Sequence, residues 1–210
     1  MSLDYILVKK PRCFLVYYLY WVPYTLVYEA TNRFLLFPPI ELEFTWLDAH
    51  LPFVSFLVPV YVSYLLFGCL ILANSKDNRE LNDLFYLTHF QLLVCALFFV
   101  FFPVSFPRHE YYAGSAFTKA FLDFWLWFDA PNNCFPSLHT ANCALAIHYS
   151  LGKKRQWLFC IWGGLIIVST VLCKQHYIVD LAAGLCVYLL SIRFKEWVLD
   201  PWKSAAGAVA

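Results

Sequence analysis

Long apolar stretches separated by short polar ones set the rhythm of this chain. Six stretches, at about 13–30, 53–73, 85–105, 137–151, 157–174 and 177–194, are nearly free of charge. A helix that crosses the hydrocarbon of a bilayer needs roughly 20 mostly apolar residues, so each stretch predicts a membrane span. The fourth and sixth are short or polar at one end. Polar linkers punctuate them: "TNRF", "NSKDNRELND", "PRHEYYAGSAFTK" and "GKKRQ". Just before the fourth span, "FLDFWLWFDAP" mixes acids with large aromatics, a pattern that predicts a helix lying in the membrane interface or re-entering it. The expected fold is all-α, a six-transmembrane helix bundle with a short interfacial helix before the fourth span. No internal repeat or low-complexity tract divides it, so residues 1–210 are expected to form one domain.

Composition sharpens this picture. The 210 residues are 61% hydrophobic and 14% charged, whereas soluble domains average about 25% charged. So few charges cannot cover a water-facing surface, and the expected solvent is mostly lipid. A net charge of +1 offers nothing to a nucleic-acid backbone. The N-terminal "MSLDYILVKKPR" lacks the long apolar core of a removable leader, and none is expected. Eight cysteines form no C-x-x-C pair, and most lie in apolar runs, where cysteine behaves as a small hydrophobe. No metal and no cofactor are expected. Cys134 and Cys173 are the pair that could share a face, so a disulfide there stays open.

Basic residues orient the spans, because cytoplasmic loops carry the excess of Lys and Arg. With the N-terminus inside, Lys9, Lys10, Arg12, Lys76, Arg79, Lys153, Lys154, Arg155, Arg193, Lys195 and Lys203 fall inside. Arg33, Arg108, Lys119 and Lys174 fall outside, an asymmetry of eleven to four. Both termini are then cytoplasmic. The same topology gathers Arg108, His139, His176 and Asp180 at one depth on the non-cytoplasmic face.

Those residues carry recognisable chemistry. In "KQHYIVDLAAG", His176 and Asp180 are four apart and share a helical face. An aspartate there can hold one imidazole nitrogen and leave the other as base or nucleophile; equally, the two can simply satisfy each other in a bundle. Ionisable groups in spans are costly and tend to be functional. In "FPSLHT", Pro136 suits a first helical turn. The free amides of Ser137, Leu138 and His139 then make an anion site, with His139 able to protonate a departing oxygen. A plain N-cap with a histidine reaching the interface is the simpler alternative. Arg108 and Lys174 are either headgroup anchors or phosphate ligands. Taken together, two histidines, an aspartate, two cations and a helix start are the parts for phosphoryl transfer.

At this point the chain resembles the type 2 phosphatidic acid phosphatase superfamily, whose motifs run K-x6-R-P, P-S-G-H and S-R-x5-H-x3-D. Pro136-Ser137-Leu138-His139 stands for the second motif. Ser169 with His176-x3-Asp180 stands for the third, and Arg108 for the arginine of the first. The two histidines are 37 residues apart. Leu138 replaces the glycine, Thr170 stands where the third motif has arginine, Phe101 replaces the first motif's lysine, and His109 follows Arg108 in place of proline. "FPSLH" with "KQHYIVD" is similar to the inositol phosphorylceramide synthase branch, and sphingomyelin synthases share the H-Y-x-x-D element. The resemblance implies a metal-free reaction through a phosphohistidine. His176 would be the nucleophile, Asp180 its partner and His139 the acid, with Arg108, Lys174 and Ser137 holding phosphate. It further implies a lipid phosphate or phospholipid substrate, and a membrane phosphatase or phospho-headgroup transferase. A transporter with a polar midplane site is the alternative from another class; it lacks a visible inverted repeat. Lipid tail, headgroup and oligomeric state cannot be read from the chain.

Overall fold

A computed structural model of the chain describes residues 5–108 and 114–207. It is overwhelmingly helical, 69% helix against 3% strand, as the apolar pattern predicts. The first apolar stretch is broken into α1 (Val16–Tyr20) and α2 (Val22–Arg33), with Pro23 in the first turn of α2. A 3₁₀ turn, α4 (Val58–Val62) and α5 (Tyr64–Ala73) cover the second. The third is α6 (Asn78–Phe101), which begins seven residues before the predicted span. Its start lies inside the polar linker because Asp77 caps it, accepting the Glu80 amide at 2.8 Å. The first eight residues of "FLDFWLWFDAP" lie in α7 (Ala116–Phe128), opened by a Ser115–Thr118 capping box, and Asp129, Ala130 and Pro131 follow its end. Then follow α8 (Leu138–Ser150), α9 (Gln156–Leu172) and α10 (Ile178–Phe194). Short elements outside the predicted spans are β1 (Ile40–Glu41), α3 (Trp46–His50) and α11 (Asp200–Gly207), while β2 (Val104–Ser105) takes the last two residues of the predicted third span, whose helix ends at Phe101.

Among the described residues, two helical stretches are long and apolar enough to cross a membrane, Ser55–Ala73 and Asn78–Phe101, and Gln156–Leu172 is a shorter apolar helix. Leu93 and Leu97 on α6, Trp157 and Ile161 on α9, and Leu189 on α10 are about 60% exposed. Apolar side chains turned outward on neighbouring helices suit hydrocarbon better than water.

The hub is α8, which packs against α5, α6, α9 and α10. Its inward residues Ala141, Cys143 and Leu145 are fully buried. The start of α8 meets α10 through Gly184. A Cβ built there would lie 2.5 Å from the Ser137 carbonyl oxygen and 2.9 Å from Thr140 Cβ, so only glycine admits this approach. The Ser137 amide donates to the Asp180 carbonyl at 3.1 Å, tying the two helix starts together. Loops lace over the same end. β1 pairs in parallel with β2, the Cys134 amide donates to the Val104 carbonyl, and the Phe106 amide to that of Pro131. At the other end Asn82 clasps the N-terminal strap, accepting the amides of Leu7 and Val8 and donating to the Val8 carbonyl. All eight cysteines are free, Cys134 and Cys173 included.

Candidate active site

The turn between α9 and α10 is built before any chemistry is placed on it. Helix α9 ends with Lys174 in the left-handed region, φ +53°, the usual way to terminate a helix. The Thr170 carbonyl accepts the amides of Gln175 and His176 at 3.0 and 3.2 Å. Thr170 is fully buried, its hydroxyl bonded to the Ile167 carbonyl, so this residue shapes the turn. The first amide of α10, Ile178, donates to Asp48 Oδ1 on α3 at 2.8 Å. Asp48 lies 130 residues upstream, so this remote cap has no local sequence signal.

On that turn His176 Nδ1 is 3.1 Å from Asp180 Oδ2, which also accepts the Tyr177 amide at 2.9 Å. Asp180 is fully buried and His176 is 5% exposed. When Nδ1–H donates to the carboxylate, Nε2 is left with a lone pair, the arrangement an imidazole nucleophile requires.

Helix α8 brings the second imidazole. Ser137 is its N-cap: the hydroxyl accepts the Thr140 amide at 3.3 Å and pairs with the Thr140 hydroxyl at 3.2 Å. The Ser137 amide is committed to the Asp180 carbonyl and its hydroxyl oxygen accepts from Thr140, which leaves the hydroxyl hydrogen as a donor. This corrects the expectation that the Ser137 amide is free for an anion. His139 sits two residues on, its ring 5.6 Å from that of His176. Tyr61 stacks on His139 at 4.7 Å and Tyr64 leans on it at 4.3 Å. Its Nε2 is buried without a partner.

A polar cleft opens on the far side of His176, lined by Arg108, Asp129, Gln175, His176, Tyr28 and Tyr61 among others. Arg108 is aimed by two backbone carbonyls, those of Leu126 and Asp129, at 3.2 and 2.5 Å; its Nε is buried without a partner. Asp129 receives Tyr28 Oη at 2.9 Å and Asn32 Nδ2 at 2.8 Å. Burial pushes its carboxyl up to about 6, against the lowering pull of the Tyr28 hydroxyl and the Arg108 charge. Lys174 lines no part of this cleft; its ammonium donates to the Asp48 carbonyl at 2.8 Å. The tertiary structure therefore brings together His139, His176, Asp180 and Arg108, leaves Ser137 and Lys174 with structural partners, and adds Asp129, Tyr61 and Asp48. His109 lies outside the described residues.

Ligand atoms of Cys134, His176 and Asp180 lie within 4.8 Å of one another, close enough to surround a metal ion. The Asp180 Oδ2 of that trio already accepts the Tyr177 amide and faces His176 Nδ1 at hydrogen-bond distance. An ion bound through those two atoms would replace that bond.

Compared with known proteins, a family model described as the PAP2 superfamily matches residues 29–194. No curated protein and no solved structure matches the chain.

Proposed function

The chain belongs to the PAP2 superfamily of phosphatase- and phosphotransferase-type lipid enzymes, and from that premise we propose that it hydrolyses a lipid phosphate through a histidine nucleophile. The observation that carries this reading is the buried pair His176 and Asp180, 3.1 Å apart, opening on the cleft that holds Arg108. The phosphate of the substrate lies against the Arg108 guanidinium. His176 Nε2 attacks phosphorus, the N–P bond forms, and the bond from phosphorus to the lipid oxygen breaks. His139 gives its proton to that oxygen as it leaves. Asp180 holds the attacking tautomer and balances the charge that develops on the ring. Water then attacks the phosphohistidine, returns a proton to His139, and inorganic phosphate departs. Side chains carry the phosphate charge, so turnover is expected to survive chelation.

We place this site in a single domain at the non-cytoplasmic face of a six-span bundle with cytoplasmic termini. The outward apolar side chains of α6, α9 and α10 support the membrane setting, and the eleven-to-four basic asymmetry supports the orientation.

A second reading is transfer to a lipid alcohol in place of water, as in the inositol phosphorylceramide synthase-like branch. One observation favours it: both histidines are only 5% exposed, which limits the access of water to the intermediate. The test is the purified full chain in detergent with a panel of lipid phosphates, with and without chelator, following free phosphate and new phospholipid together. Phosphate release without an acceptor supports hydrolysis. Product only when a lipid alcohol is added assigns transfer. No product of either kind overturns both.

A further inference from the structure

The helix ends remote from His139 and His176 enclose a cavity of about 730 Å³, a volume within the usual range for small-molecule sites. It lies where the start of α6, the end of α8, the residue just past α10 and α11 converge. Five cations line it, Lys76, Arg79, Lys153, Lys195 and Lys203, against three acids, Asp77, Glu80 and Asp83. The acids are committed to holding the walls. Glu80 pairs with Lys153, Asp83 pairs with Lys203 at 2.8 Å, and Asp77 accepts the Glu80 amide as the cap of α6. Asp200, outside the lining, holds Lys195 at 2.7 Å. Lys76 and Arg79 are exposed and have no ion-pair partner among the described residues. Three lysines are thus fixed around a void, and two further cations carry no counter-charge. Cations spread over separate elements suit an anion with several phosphate groups better than one with a single charge.

We infer that this cavity binds the multiply phosphorylated headgroup of an anionic phospholipid. The depth of the cavity argues for a lipid as the source of the phosphates. Trp157 in the first turn of α9 and Trp197 one turn past α10 are 62% and 73% exposed. Indoles turned outward at helix ends form the belt that sits at headgroup level. Leu151, in the cavity lining, is 60% exposed, so an apolar surface adjoins the cations where an acyl chain would leave the headgroup. Basic pockets between helices at such a boundary take anionic headgroups. The inference rests on the membrane setting and needs nothing of the catalytic reading, since the cavity shares no lining residue with the cleft of His176.

The experiment is calorimetric binding to the purified full chain in detergent. Its probes are dioctanoyl phosphatidylinositol bisphosphate, inositol trisphosphate as the free headgroup, and dioctanoyl phosphatidylcholine. The wild type should bind the bisphosphate lipid most tightly, its free headgroup more weakly, and phosphatidylcholine not at all. Lys76→Gln combined with Arg79→Gln removes the two unpaired cations at exposed positions, where the fold does not depend on them. The double variant should bind the bisphosphate lipid roughly 30-fold more weakly, from the usual contribution of two basic residues facing an anionic headgroup. Arg108→Gln alters the catalytic cleft instead and should bind as the wild type does. Undiminished affinity in the double variant, or binding lost only in Arg108→Gln, overturns the site. Equal affinity for the lipid and the free headgroup overturns the lipid as its ligand. A wild type that binds neither phosphorylated probe overturns the inference outright, whatever the outcome of the phosphatase assay.

Discussion

His139 and His176 share a residue type and a burial, and differ in what holds them. His176 is gripped by Asp180 and faces Arg108 across the polar cleft; His139 is packed between Tyr61 and Tyr64 with a free ring nitrogen. Their variants should therefore behave differently. His176→Ala should abolish turnover and any acid-labile phosphoenzyme. His139→Ala should slow phosphoenzyme formation and be rescued by an aryl phosphate whose leaving group needs no proton. Asp180→Asn should fold and lose most activity; in a serine-protease triad the equivalent change costs ~10⁴-fold. Single-turnover labelling with radiolabelled substrate separates the three, and rescue of His176→Ala in place of His139→Ala would reverse the assignment. Lys174 is a different case. Resemblance made it a phosphate ligand, yet its ammonium donates to the Asp48 carbonyl, outside the cleft, and its backbone ends α9. Lys174→Ala should lower the thermal midpoint and leave KM within about twofold; a large rise in KM at unchanged stability would return it to the phosphate. Asp129 brings a pH dependence. Its carboxyl sits at about 6 against an ordinary 3.8, so the folded state holds that proton after the unfolded chain has lost it. The raised value stabilises the fold at low pH, and this contribution is lost as pH climbs from about 4 through about 6. The midpoint of the wild type should therefore fall over that window by more than that of Asp129→Asn, measured in the same buffers.

At the level of elements, one contact decides whether a site exists. The start of α8 and the second turn of α10 touch at Gly184, and His139 and His176 lie at the starts of those two helices. Gly184→Ala forces a methyl to 2.5 Å from a backbone oxygen that cannot swing away. Overpacking of this kind costs about 1–3 kcal/mol, and any relief separates the imidazoles. Activity should drop more than tenfold, measured beside the midpoint. Gly164→Ala on α9 is the control, because an added Cβ there meets nothing within 4 Å and activity should not change. The sequence offered half of this contact. "FPSLHT" and "HYIVD" announce two helix starts through Pro136, Ser137 and the His176–Asp180 spacing. That Gly184 lets them meet is invisible, since a glycine inside an apolar run reads only as a weak helix former.

Viewed whole, the molecule puts its chemistry at one end of the bundle and its basic linkers at the other. The site end carries Arg108, Asp129 and His176, while Lys76, Arg79, Lys153, Lys195 and Lys203 line one cavity that shares no lining residue with the site cleft. If that polarity reports orientation across a bilayer, an impermeant thiol reagent on intact cells should label Lys119→Cys and spare Lys154→Cys. The background should lack the exposed Cys13 and Cys186. Labelling of the position at 154 alone would invert the topology.

What the sequence determined by itself is what local pattern can encode. Apolar runs require helices, since backbone amides without water must bond within their own segment. Polar punctuation spaced those helices, and the four-residue interval marked His176 and Asp180 as a pair, though His176 lies before α10 and a capping turn, not a shared helical face, brings it to Asp180. What only the tertiary structure decided is every pairing between distant segments. Asp48 capping α10, Asp129 entering the cleft, Tyr61 stacking on His139, and the diversion of Lys174 and Ser137 to structural partners all depend on which surfaces meet. A charged or hydroxyl side chain bonds whatever the fold brings nearest. Its identity restricts the kind of partner it can take, and only packing chooses the partner.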